Sequence, residues 1–246
     1  RKKIKELLFP YKLITSYKKE IERLNFEKSF LKKKIDNKNL IILKLVKKFG
    51  VYFTQIEKEK NIFAGKKKLS ITKFNTDTLF FGKNRGAKST SYIEYFDGKF
   101  ILTTGVGVFL YTNIDNLNKK DFTLEPIPSN IDDFISDYFY ESGGYGIKDV
   151  LVKNSKIYIS YSNQYKNNCF NTAVLSADLN YKKLIFKKFF SPKICVKKKN
   201  SYGEYDPRIS GGRLVDYSDN KILFSVGGYK YRDHAQDITN VLGKII

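Results

Sequence analysis

Tight turns at Asp97, Asn154 and Asp219 recur roughly every sixty residues, and each joins two short runs rich in β-branched and aromatic side chains. Nothing else in the chain limits its fold so strongly. A turn of two or three Asn, Asp, Gly or Ser residues between such runs makes the flanking strands antiparallel neighbours, because these residues relax readily into the backbone that a hairpin needs. Asp97-Gly98 suits a type I′ turn. The first unit reads as strands over 92–96, 99–104, 108–111 and 122–127, and the second as 147–152, 156–161, 172–178 and 184–190. A third opens at Arg213, continues through 214–217 and 221–226, and runs to the chain end. A recurring four-strand meander is the mark of propeller blades. A single sandwich would turn about every 8–12 residues without the longer excursions. The predicted fold class is mainly β, an incomplete β-propeller of about two and a half blades. Unless further blades lie downstream, such an array leaves an open sheet edge.

Ahead of this region the period changes. Over residues 11–49 the apolar side chains Ile14, Tyr17, Ile21, Leu24, Leu31, Ile35, Ile42, Leu45 and Phe49 follow alternating three- and four-residue steps, interrupted by Lys28 and Lys38. That heptad predicts a long amphipathic helix, opened near Pro10 and closed by Gly50, which packs on its own domain, forms an oligomerising coiled-coil or envelope-spanning stalk, or binds a membrane surface through its lysines. The domain division is 1–50, basic helix, and 51–246, partial propeller. Residues 51–63 and 68–74 read only as short mixed runs.

Forty-six Lys and Arg against 25 Asp and Glu give a formal net charge of +21, which raises nucleic acid as a partner. Lysine far outnumbers arginine, however, and Asn, Ile, Lys, Phe and Tyr dominate throughout, as a low-GC genome would produce with any partner. The charge suits an anionic membrane surface, met peripherally, or a polysaccharide better than nucleic acid. No stretch is long and apolar enough to cross a bilayer, and the best candidate, 40–46, is far too short. The chain starts at Arg1 rather than Met, so it reads as a piece of a longer protein whose signal or anchor would lie upstream.

The last thirty-six residues carry the most specific order: Gly211-Gly212-Arg213-Leu214, a strand, a turn at 218–220, a strand ending at Val226-Gly227, and then Ala235-Gln236-Asp237 and Leu242-Gly243-Lys244 before Ile246. This order resembles the glucose/sorbosone dehydrogenase family, the soluble quinoprotein sugar dehydrogenases. The likeness is sharpest from Ser210 to Ile246, extends loosely back to Gly146 and fades before it. It implies a six-bladed-type propeller, pyrroloquinoline quinone (PQQ) with calcium, and oxidation of an aldose by hydride transfer from its anomeric carbon to the quinone. It also implies a periplasmic or cell-envelope location and a sugar or polysaccharide partner. Arg213 stands where the family arginine does, to stabilise charge on substrate or quinone, with a structural salt bridge between blades as an equal reading. Tyr205 and Arg208 would line the same mouth, and Gln236 and Asp237 belong to the matching tail segment.

Two positions depart from the family pattern. The histidine that serves as base aligns with Ile209, which cannot accept a proton, and the aspartate closing the second strand is replaced by Gly228. General-base assistance is worth about 10²- to 10⁴-fold. Two functions therefore compete: a PQQ-dependent aldose dehydrogenase weakened at its base, and a non-catalytic propeller that binds or assembles on a helical stalk at the cell envelope.

Other chemistry is sparse. His234, the one histidine, lies in a polar loop and reads as a surface residue. One histidine and two distant cysteines do not make a zinc site. Calcium would find only Asp233 or Asp237 in that loop. Cys169 and Cys195 sit in turn-like settings just outside the strand pair 172–178 and 184–190. They read either as a disulfide, closing a loop of about 27 residues, or as two free thiols with at least one buried. The tyrosine- and glycine-rich stretch 137–146 either packs over the junction between blades or offers rings for stacking on a sugar or quinone.

Overall fold

Alternation of apolar and polar residues between turn signals gives this chain its strands. The computed structural model describes residues 17, 18, 20–32, 34, 35, 52–76, 91–141, 144–201 and 203–246. The chain divides into two compact units, Arg1–Lys48 and Phe49–Ile246. In the first, the described residues are helical at 17, 18, 20–32, 34 and 35. The apolar seam positions Tyr17, Ile21, Leu24, Leu31 and Ile35 are exposed there. The rest of the helix predicted over 11–49 lies outside the described residues, so the long coiled-coil helix is not supported.

The second unit is mainly β. Strands β1 (Tyr52–Ala64), β2 (Lys67–Thr76), β3 (Ser91–Phe96), β4 (Lys99–Thr104), β5 (Phe109–Asn113) and β6 (Asp121–Pro126) form one sheet in the order β2-β1-β6-β5-β4-β3. Strands β7 (Ile147–Lys153), β8 (Lys156–Lys166), β9 (Cys169–Asp178) and β10 (Lys187–Phe190) form the next, in the order β10-β9-β8-β7, and β11 (Val196–Lys197) adds to β9. Strands β12 (Gly211–Ser218), β13 (Lys221–Val226) and β14 (Lys244–Ile245) form the third. Every named strand pairing is antiparallel, and the predicted turns join β3 to β4, β7 to β8 and β12 to β13. At the first two turns Asp97, Asn154 and Ser155 take positive φ, as such hairpins require.

The first strand of each meander faces its counterpart in the next: β7 packs against both β3 and β12. The second sheet is thus covered on both sides, and nearly every residue of β8 from Ile157 to Asn163 and of β9 from Cys169 to Leu175 is buried. The junction with the third sheet is filled by Tyr145, Phe170, Val174, Leu214, Phe224, Val226, Tyr229 and Leu242, each large side chain contributing about 1.5–3 kcal/mol by burial. Tyr138 and Tyr145 close on Phe170 at 5.2 and 5.1 Å between ring centroids, so these two rings of the tyrosine-rich stretch pack into this junction.

Cys169 and Cys195 are disulfide-bonded, with Cα atoms 5.5 Å apart, tying the start of β9 to the residue before β11. Two differences from the sequence reading stand out. Residues 51–63 and 68–74, read as mixed runs, carry the long hairpin β1–β2; charged residues on both of its faces erase the alternation that marks a half-buried strand. Short helices at Tyr138–Glu141 and Arg232–Gln236 occupy stretches read as loops.

Candidate functional site

Two consecutive glycines bring β12 onto β7. Gly211 and Gly212 have φ of +73° and +114°, and a Cβ on Gly212 would lie 2.3 Å from the Lys148 Cβ. A Cβ on Gly227 would lie 2.2 Å from the Ile209 carbonyl oxygen. Only bare backbone fits at these crossings. Gly227 N–H donates to the Ser210 carbonyl at 2.7 Å and Tyr229 N–H to that of Ile209 at 3.3 Å, clipping the turn before β12 onto the loop after β13.

Arg213, on β12, reaches across to Asp149 on β7. Its Nη1 lies 3.4 Å from Asp149 Oδ1, and the Leu214 N–H donates to Asp149 Oδ2 at 2.8 Å. The Asp149 carboxylate is buried while the Arg213 side chain is 74% exposed. Burial raises the Asp149 pKa, and the Leu214 N–H and the Arg213 charge oppose that. Tyr92, on β3, donates its hydroxyl to the Ile147 carbonyl at 3.1 Å, and burial beside Asp149 pushes its pKa up to about 12. Burial likewise raises Glu94. The edge strands β3, β7 and β12, one from each sheet, thus bring Tyr92, Glu94, Asp149 and Arg213 within electrostatic reach of one another.

At the turn before β12, Asp206 caps the segment Pro207–Ile209 by accepting the Arg208 N–H at 2.9 Å, and its carboxylate takes the Arg208 guanidinium at 3.0 and 2.8 Å. Arg208 holds the Asp206 carboxyl below the usual carboxylate range. Ile209 is 47% exposed at this turn. Behind it, Lys148 donates to the carbonyls of Gly144 and, at 3.1 Å, Pro207. Burial lowers its ammonium to about 8, against the pull of Asp206. The sequence reading missed Lys148, which stands beside Asp149 near the start of β7, a strand that also ends in Lys153; a lysine next to an aspartate amid Ile, Val and Leu is the signal that could have found it.

The remaining expected residues are dispersed. Tyr205 stacks on Tyr229 at 5.7 Å and meets Phe170 at 5.9 Å, inside the aromatic junction. Gln236 is exposed at the end of its short helix. Asp237 accepts Thr239 N–H at 2.9 Å, Thr239 Oγ1 at 2.6 Å and Asn240 Nδ2 at 2.8 Å, which draw its pKa down to about 2. The tail segment works as a clasp. A Cβ on Gly243 would meet the Ala235 Cβ at 2.8 Å, and Lys244 donates to the carbonyls of His234, Ala235 and Leu242 at 3.2, 3.1 and 2.9 Å, closing the helix end with a cation. His234 lies 4.4 Å from the Tyr231 ring and within 3.5 Å of Asn240, apart from the Asp149–Arg213 pair in contacts. Gly228 has room: a Cβ there would meet nothing closer than the Tyr231 carbonyl at 3.6 Å.

Among known proteins, the family model described as Glucose / Sorbosone dehydrogenase matches residues 97–246, reaching well ahead of Gly146. Comparison with curated proteins finds no match. Similar solved structures include one described as glucose dehydrogenase, at 19% identity and a TM-score of 0.48, covering 63% of this chain and 46% of that one. Another is the apo form of the soluble aldose sugar dehydrogenase from Escherichia coli, at 20% identity and a TM-score of 0.46, covering 63% of this chain and 42% of that one. The chain spans less than half the length of either structure.

Proposed function

We propose, from the premise that the chain belongs to the Glucose / Sorbosone dehydrogenase family, that it forms part of a six-bladed-type propeller that has kept the sugar-dehydrogenase scaffold without its oxidation chemistry, and that it serves as a sugar- or polysaccharide-binding module at the cell envelope. One observation supports this reading: Ile209, the residue that the family resemblance aligns with the base histidine, is exposed at the turn before β12. Its hydrocarbon side chain neither accepts a proton nor orients a hydroxyl. Asp206 beside it is committed to Arg208, and Lys148 is committed to two carbonyls.

The family's cofactor does not fit the described residues. Calcium asks for about six to eight oxygen ligands, several of them carboxylates. Among the described residues no three His, Cys, Asp or Glu side chains converge on a point. Asp149 is engaged by Arg213 and Leu214, and Asp237 by its own turn. Gly228, which the resemblance aligns with a family aspartate, brings no side-chain donor.

The Cys169–Cys195 disulfide supports an oxidising compartment, in keeping with the envelope. Among the described residues no helix is long and apolar enough to cross a membrane. The test is dye-linked oxidation of a panel of aldoses by the full-length protein supplied with PQQ and calcium. No turnover is expected, and dye reduction that saturates with any aldose would return the chain to the oxidoreductases.

A further inference from the structure

The hairpin β1–β2 extends well past the sheet that anchors it. Only Tyr52–Gln55 of β1 pair with β6, while β1 and β2 stay paired to Ala64 and Lys67. From Lys58 to Ala64 and from Lys67 to Lys73 the ribbon pairs with no third strand among the described residues, and a two-stranded ribbon is marginal in water by itself.

Its register sorts the side chains. Lys58 opposes Lys73, Lys60 opposes Ile71 and Ile62 opposes Leu69, so these residues share one face, which Lys67 continues by alternation from Leu69. The other face carries Glu59 with Thr72, Asn61 with Ser70 and Phe63 with Lys68. Leu69 and Ile71 are each 46% exposed and Phe63, near the tip, is 74% exposed. Over residues 57–73 six lysines stand against two glutamates, a net charge of +4; one lysine, Lys73, is paired with Glu57 at 2.8 Å.

We propose that this protruding ribbon is a membrane-docking element, which lays its face of Ile62, Leu69 and Ile71 into the interface of an anionic phospholipid bilayer while Lys58, Lys60 and Lys67 engage the headgroups. The mixture of side chains selects the partner. Aliphatic groups gain nothing from a hydrated phosphate backbone and do not stack on bases, so a nucleic acid would use the lysines and leave the isoleucines and leucine in water. A bilayer interface takes both, apolar groups at the acyl boundary and ammonium groups among anionic headgroups. The lysine stems reach outward along the same face.

The test is co-sedimentation of the full chain with vesicles of phosphatidylcholine alone and of phosphatidylcholine mixed equally with phosphatidylglycerol. Binding to the mixed vesicles only is expected. Because the whole chain is basic, the deciding variant keeps every charge: Ile62→Ser, Leu69→Ser and Ile71→Ser together should weaken partition by roughly tenfold or more, with retention on heparin and DNA unchanged. Lys58→Glu, Lys60→Glu and Lys67→Glu together should weaken it at least as far. Circular dichroism and the melting temperature of each variant establish that the fold persists, and a variant that unfolds is replaced by single substitutions at Leu69 and Ile71. Undiminished vesicle binding by the folded serine variant overturns the proposal. So does equal binding to neutral vesicles by protein and both variants, or a parallel loss of DNA binding in the serine variant.

Discussion

Lys148 and the glycines against it show how single residues fix this site. Its ammonium is drawn down by burial from 10.5 to about 8. Below pH 8 the folded and unfolded chains both carry the proton, and the cost of burying the charge persists. Between about 8 and 10.5 the unfolded chain binds a proton that the folded chain has released, so stability climbs with pH. Relative to Lys148→Met, the parent protein should gain up to about 3 kcal/mol across that window, read from urea midpoints at stepped pH; parallel profiles would refute it. Gly212 gives the steric counterpart. Gly212→Ala combines a φ of +114° with a Cβ 2.3 Å from the Lys148 Cβ and should cost more than about 2 kcal/mol. Gly228→Ala, whose nearest contact would be 3.6 Å away, should stay within about 0.5 kcal/mol. Equal losses in the two variants would mean that the close approach of β12 to β7 is not what keeps glycine at 212.

At the scale of elements, neighbouring sheets are tied at both ends of their first strands. Near the inner turn, Ser160 donates to the Gly212 carbonyl and Arg213 reaches Asp149. At the hairpin turns, the buried Lys153 ammonium donates to Asp216 and to the carbonyls of Ser218 and Lys221, and Asn154 donates to the Asp219 carbonyl at 3.1 Å. The Lys153 contacts hold one turn of the repeat against the next. The disulfide acts differently, within the second sheet, joining β9 to the segment that returns as β11. Replacing both Cys169 and Cys195 with serine should cost about 3 kcal/mol by the chain-entropy estimate, measured as a fall in the denaturation midpoint, with the slope steepening as the released unfolded chain exposes more surface. An unchanged midpoint would show that β11 stays docked without the bond.

Over the whole molecule, a net charge of +21 sets lysine against lysine in the folded state. Raising ionic strength from low to physiological should therefore raise the melting temperature by a few degrees before further salt adds little; a fall would mean that ion pairs such as Lys156–Asp178 and Lys73–Glu57 outweigh the repulsion. At this scale the hairpin succession was legible in the chain. The Asp97-Gly98, Asn154-Ser155 and 218–220 turns, and the strands beside them, are local: φ freedom and alternation act over a few neighbours. The cysteine pairing was half legible, since position bracketed a strand pair and left the bond undecided. What the sequence could not supply was everything that depends on residues sixty positions apart. It gave Arg213 two roles, and only the approach of β12 to β7 set its guanidinium against Asp149. It left Lys148 unremarked, because burial by a neighbouring sheet, not composition, moves that ammonium toward neutrality. It put Tyr205 at a mouth, while packing stacked the ring on Tyr229. Turns and strands follow from short-range sterics written residue by residue, whereas the environment of a charge or a ring exists only once distant strands have closed around it.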